Sequence, residues 1–291
     1  MTITISNESL TLSVDTLGAE TKSLKDRITD YEFLWQGDPA FWTGTSPILF
    51  PAVGGHWDGV YRHLGRTYNM PKHGFVRTKE WTVVDQSETH VTLVCQIEGE
   101  DLRIYPFPSR VGVTYRLDGR KLQAEFAVEN CGETTMYFQI GGHPGINLPD
   151  FRPDEPVSGY ITLEGSPHSL LRATLQGCTA ADRFSIPYDL SGRIPLCRDT
   201  FADEALIFDR RQLTAANILG AGGSRLARVE SDAPVWLFWA PQGQHAPFVC
   251  AEPWYGLCDP VGFDGPLSER PYINKLDAGE CWHGGYSLEL F

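Results

Sequence analysis

The chain has 291 residues, with 24 Lys and Arg against 37 Asp and Glu, giving a formal net charge of −13 at pH 7. That balance argues against nucleic acid or an anionic membrane as partner, because both require a basic face. A charged fraction of 21% beside 8 Trp, 11 Tyr and 15 Phe excludes global disorder, and 29 Gly with 20 Pro suit many strands and tight turns better than long helices.

The N-terminal MTITISNESLTLSV has neither a basic region nor an unbroken apolar stretch of signal-peptide length, so export is not expected. No apolar run approaches the roughly 20 residues of a membrane span. The longest, PILFPAV (47–53) and APVWLFWAP (233–241), are interrupted or bounded by proline. The 7 cysteines contain no CxxC pair. Neither a disulfide framework nor a zinc site is expected, and a reducing cytoplasm is the simplest location.

In chain order, the dominant period is two. Val91, Leu93, Cys95 and Ile97 share one face of 90–97, and Val111, Val113, Tyr115 and Leu117 share one face of 110–117. Leu122, Ala124, Phe126 and Val128 do the same in 121–130; segments 134–140, 159–163 and 286–290 repeat the pattern. These read as half-buried antiparallel strands, whereas 234–239 (PVWLFW), apolar throughout, reads as a strand covered on both sides. Turn signals fall at Asp118-Gly119, Asn130-Cys131-Gly132 and the glycine cluster of 220–223. Only 200–208 offers a short helical turn. With no composition break, residues 1–291 read as one large all-β domain whose loops carry function.

Nucleotide-binding, zincin and α/β-hydrolase signatures are missing from the sequence. Three segments instead set ionisable residues among Gly, Pro and Trp: MPKHGFVR (70–77), IGGHPGIN (140–147) and PFVCAEPWYGLCD (247–259). Taken singly each is weak, since a loop histidine is more often a turn residue and a strand-closing glutamate is usually solvated. Their surroundings strengthen them. Gly141-Gly142-His143-Pro144 is a poor strand continuation and lets backbone approach a ligand closely. Glu252 closes an apolar strand, where desolvation raises a carboxyl toward a useful base. Trp254, Trp35 and Trp42 offer flat faces for sugar C–H groups.

These segments, with LWQGDPAFW (34–42), SPILFPAVG (46–54) and YPF (105–107), give a chain that resembles the aldose 1-epimerase (galactose mutarotase) family, in particular its LacX-like branch. The resemblance implies a galactose-mutarotase-like antiparallel β-sandwich (a supersandwich) with a sugar cleft, and interconversion of hexose anomers without metal or organic cofactor. It further implies that His73 and His143 match the family's two active-site histidines and Glu252 its catalytic glutamate. Opening a hemiacetal needs a proton taken from O1 and one given to the ring oxygen. Glu252 suits the first task, His143 the second, and His73 would orient the sugar. Trp254 and Arg77 complete the expected binding residues, with Glu204 at a position where relatives carry an aspartate beside the one here at Asp203. One departure stands out: relatives carry an arginine after the VG of FPxVG, where this chain has Gly55 then His56. Arg77 or Arg62 are the candidates to replace it. A non-catalytic sugar-binding protein is the alternative if nothing does. A hexose-6-phosphate mutarotase is the other alternative, drawing on Lys72, Arg77, Arg62 and His63. A glycoside hydrolase is disfavoured, since it needs two facing carboxylates.

Overall fold

Alternating burial organises the molecule. In the computed structural model, which describes residues 1–174 and 176–291, Leu122, Ala124, Phe126 and Val128 of the Lys121–Asn130 strand point into the core while Gln123 and Glu125 point away from it. That strand lies in a nine-stranded antiparallel sheet with spatial order Ile194–Leu196, Gly159–Gly165, Leu213–Gly220, Arg225–Glu230, Cys281–Leu290, Lys121–Asn130, Ser109–Asp118, His90–Ile97, Thr82–Gln86. A second sheet runs Thr179–Phe184, Leu170–Ala173, Leu206–Phe208, Val235–Trp239, Phe248–Tyr255, Ile140–Gly142, Ile48–Leu49, with Gly145–Asn147 also on Phe248–Tyr255. A three-stranded sheet of Thr2–Ser6, Leu10–Asp15 and Thr21–Asp26 sits beside them.

The two large sheets pack face to face as an all-β sandwich. Trp236 and Phe238 point into the shared core with Phe208, whose ring lies 5.9 Å from Phe238. Trp282 of the larger sheet packs edge-on against Phe138 and Tyr255 at 5.6 and 4.8 Å. The opposite face of the Val235–Trp239 strand, carrying Val235 and Leu237, joins Leu171, Ile207 and Trp254 in a separate apolar cluster. Val235–Trp239 is therefore covered on both sides, as its unbroken apolar sequence predicts.

Three expectations need correction. Segment 134–140 is not one strand: Met136–Phe138 pairs with Asn274–Leu276, while Ile140–Gly142 enters the second sheet. The break is Gln139, fully buried, whose side-chain amide donates to the carbonyls of Leu257 and Pro271. Segment 200–208 holds no helix; its apolar end, Leu206–Phe208, is buried as a strand between Leu170–Ala173 and Val235–Trp239. Gly141 and Gly142 do continue a strand, paired with Leu49 and Ile48 on one side and, at Gly141, with Trp254 on the other; they are glycines because Trp254 and Tyr286, respectively, occupy the space their side chains would need. A Cβ on Gly142 would lie 2.4 Å from Tyr286 Cε1. Gly142→Ala should therefore cost about 1–3 kcal/mol, seen as a lower urea midpoint with an unchanged denaturant slope.

Candidate active site

The site begins as a register. Gly141 pairs with Trp254 and Gly145 with Cys250, so both pairings belong to one alignment that sets His143 directly opposite Glu252. On its other side Glu252 faces Leu237, which faces Ile207, which faces Leu171. This row across the sheet forms the floor of a cleft of about 280 Å³ lined by Ile207, Leu237, Glu252 and His143. The sequence placed Glu252 at a strand's end, but the strand runs on to Tyr255. It can do so because Pro253, which has no N–H to donate, falls opposite Gly142, the last residue of its strand, where the ladder between the two strands stops.

Glu252 and His143 are both buried, with Oε2 and Nε2 3.2 Å apart. Trp42 stacks on the His143 ring at 4.8 Å and Trp239 meets it edge-on at 5.8 Å, which fixes the imidazole plane. Burial pushes the Glu252 carboxyl well above its ordinary 4.5, against the opposing pull of the Lys72 ammonium. Burial likewise pushes His143 down to about 3, with Lys72 and Arg77 adding to it. Both shifts disfavour charge, so a neutral carboxyl facing a neutral imidazole is the favoured form of the pair.

His73 arrives from a loop. It and Gly74 both have φ of +69°, a left-handed pair that reverses the chain against Phe50; a Cβ on Gly74 would lie 2.0 Å from the Phe50 carbonyl oxygen. His73 Nδ1 accepts a hydrogen bond from the Gly54 N–H at 3.1 Å, and the His73 N–H donates to the Gly54 carbonyl at 2.9 Å. The ring stands edge-on to His143 at 5.7 Å and to Trp254 at 5.6 Å. Burial, then His143 and nearby cations, holds its pKa well below 6.5, leaving a neutral ring with its proton on Nε2.

Other expected residues divide. Trp254, Arg77 and Glu204 line the cleft, as does Lys72, whose ammonium pairs with Glu204 Oε1 at 2.7 Å. Glu204 has φ of +71° and a buried, unpartnered Oε2; Asp203 turns away to Arg172. Trp35 is not a cleft platform. It is buried on Phe248 at 4.3 Å, and its Nε1 donates to the Trp42 carbonyl, so it supports Trp42 from behind. Arg62 and His63 lie on the Val60–His63 hairpin strand outside the cleft, with His63 against Phe107. Trp239 and Leu237, unremarked among the apolar residues of their strand, line the cleft, Trp239 as a wall and Leu237 in the floor.

His143, Cys250 and Glu252 also bring an imidazole nitrogen, a thiol and a carboxylate within 4.8 Å of one another, the one such trio among the described residues. Burial, with Glu252 beside it, pushes the Cys250 thiol well up. A cation there would have to displace protons from groups that the site keeps neutral.

Residues 1–259 match the family described as Aldose 1-epimerase. The chain belongs to that family. Within it, the chain is 30% identical to the chromosomal and plasmid LacX proteins of Lactococcus lactis subsp. lactis, over 95% of each protein, and so falls in the LacX-like branch. Among solved structures it is similar to a galactose mutarotase-like protein from Lactobacillus casei (29% identity, TM-score 0.94, all of both chains). It is also similar to a galactose mutarotase related enzyme from Lactobacillus acidophilus (30% identity, TM-score 0.90, 100% of this chain and 97% of that one). The sandwich is thus galactose-mutarotase-like, as the resemblance implied.

The fold also accounts for Gly55. A Cβ there would meet the carbonyl oxygens of Gln176 and Gly177 at 2.9 and 3.0 Å, and the Gly55 N–H donates to Gly177. The 176–177 turn stands where a side chain at position 55 would go. Arg270, which no motif singles out, lies buried against the Gly55 carbonyl.

The buried carboxyl has a measurable cost. Because its folded pKa lies above its unfolded value, Glu252 favours folding fully below pH 4.5 and loses that contribution as pH rises toward the folded pKa. Glu252→Gln should raise the melting temperature at pH 8 by a few degrees, a gain that shrinks toward pH 4.

Proposed function

We propose that the protein is an aldose 1-epimerase that interconverts the α and β anomers of a hexose by acid–base ring opening, using no metal or organic cofactor. The observation that carries this reading is the His143–Glu252 pair, two buried groups 3.2 Å apart on the floor of an aromatic-walled cleft, which the reading takes to share one proton. A protonated Glu252 with neutral His143 differs from a carboxylate with an imidazolium only in where that proton sits. In the second form, Glu252 takes the proton from O1 while His143 delivers one to the ring oxygen. The ring opens to the aldehyde, C1–C2 rotates, and reversal of the two transfers closes the other anomer. No proton is gained or lost over the cycle.

His73, a neutral Nε2–H donor, steadies the ring oxygen or a neighbouring hydroxyl. Trp42, Trp239 and Trp254 cover C–H faces, and the free oxygen of Glu204 accepts from a sugar hydroxyl while Lys72 holds the other oxygen. One domain, in a cytoplasm rich in free sugars, fits this chemistry; no helix among the described residues is long and apolar enough to cross a membrane.

A phosphorylated hexose is the second reading, because Lys72 and Arg77, both exposed, meet at this cleft. Glu204 already neutralises Lys72, which favours the uncharged sugar. A purely binding role is disfavoured by the intact pair.

Anomer exchange on fresh α-D-glucose and α-D-galactose, followed by NMR or polarimetry, tests the proposal. Exchange should outrun the buffer reaction and fall by about 10²–10⁴ in Glu252→Gln; wild-type exchange in that variant would remove Glu252 as the base. A clear preference for glucose 6-phosphate over glucose, lost in Lys72→Met and Arg77→Met, would transfer the conclusion to the phosphorylated sugar. With the shared proton as the active form, kcat/KM should fall on the alkaline side as it is lost. Since Lys72 pulls the Glu252 pKa down, Lys72→Met should move that limb to higher pH.

A further inference from the structure

Behind the cleft, outside its lining, Arg270, Asp259 and His56 form a buried charged cluster, each with no more than 5% of its surface exposed. Arg270 Nε stands 2.6 Å from Asp259 Oδ1, and its Nη1 donates to His56 Nε2 at 3.0 Å. Nη2 donates to two backbone carbonyls, Val53 at 3.1 Å and Gly55 at 2.9 Å. Asp259 binds the same segment from its other side: Oδ2 accepts from the Trp57 N–H at 2.9 Å, and the Asp259 N–H donates to the Gly55 carbonyl. Taking a guanidinium out of water is expensive, and a pair of this kind is often no more stabilising than packed apolar side chains. Its use here is geometric. The two carbonyls that Nη2 grips flank Gly54, whose N–H is the donor to His73 Nδ1.

We propose that Arg270, held by Asp259 and His56, is a positioning residue for His73. By clamping the carbonyls of Val53 and Gly55 it aims the Gly54 N–H at Nδ1, which selects the tautomer whose Nε2–H faces the sugar. The nitrogen left to protonate in a neutral imidazole is set by the hydrogen bond the other nitrogen makes. Only a planar fork can reach both carbonyls while meeting Asp259 and His56 along its other edges; an ammonium cannot. His56 fits the arrangement because burial, then Arg270, lowers its pKa to about 4, leaving it neutral and able to accept from the guanidinium. The inference rests on the epimerase reading only for its effect on rate; the tautomer is a property of the sugar-free protein.

Imidazole nitrogen NMR on ¹⁵N-labelled protein, with His73 assigned by loss of its signals in His73→Gln, reads the tautomer directly. Wild type should show an unprotonated Nδ1 and a protonated Nε2. Arg270→Lys, folded by circular dichroism and cooperative in melting, should shift both nitrogens toward averaged values while His143 keeps its own. Its kcat should drop about tenfold, the size of one hydrogen bond, with KM nearly unchanged; in a His73→Gln background the same substitution should cost less than twofold. A folded Arg270→Lys with the wild-type His73 tautomer, or an equal loss in both backgrounds, overturns the proposal. If Arg270→Lys does not fold, Asp259→Asn, which keeps an acceptor for the Trp57 N–H but loosens the guanidinium, is judged by the same shifts. Failure of both to fold makes the cluster structural and also overturns it. Tautomer loss in a protein that never accelerates anomer exchange would uphold the positioning and sink the epimerase reading instead.

Discussion

Everything at the site depends on one strand alignment that sets a buried imidazole across from a buried carboxyl on the cleft floor. In a two-residue period, a slip of one position would send Glu252 into the core between the sheets and bring Ala251 or Pro253 to the cleft. The alignment is held on both flanks of the pair, at Gly141–Trp254 and Gly145–Cys250, while the ladder is open at the pair itself. The two side chains are thus fixed by neighbours rather than by each other. Their separation of 3.2 Å can then serve proton movement instead of being used up in a structural bond.

Around that pair the molecule combines two kinds of support. The sheet supplies the floor and, through Trp239 and Trp254, part of the walls, with little freedom to move. Loops supply His73, Glu204 and Lys72, and here the backbone adopts left-handed conformations at residues that are not glycine. Such conformations cost energy and persist only where the surroundings enforce them. At His73 the enforcement is visible as the paired hydrogen bonds with Gly54. At Glu204 it is the ion pair with Lys72, the residue just before His73, so the two loops brace one another across the cleft.

Much of this was legible in the residues. Alternation in 90–97, 110–117 and 121–130 gave the strands of the larger sheet, since a half-buried strand writes its pattern directly into sequence. The second sheet was less readable. Its strands are short or buried on both faces, so Leu206–Phe208 resembled a helical turn and Met136–Phe138 ran on through Gln139. Glu252, His143 and His73 stood out because Gly, Pro and Trp around them were hard to explain as ordinary turns. Trp239 and Leu237 were invisible for the opposite reason: in an all-apolar strand nothing distinguishes the cleft side from the core side. Arg270 lies in an unremarkable polar stretch, and only long-range contacts with Val53, Gly55 and Asp259 reveal it.

The turn over Gly55 has a consequence for how relatives are compared. A side chain at position 55 and the backbone at 176–177 compete for one volume, so the two sites form a single unit of variation though they are far apart in the chain. An arginine introduced at 55 alone would have nowhere to go while the carbonyls of Gln176 and Gly177 stand there. Aligned columns therefore cannot transfer the role of that arginine to or from this chain one residue at a time. In this chain the volume beside Gly55 is filled by backbone from a distant stretch of sequence rather than by a side chain at the position itself.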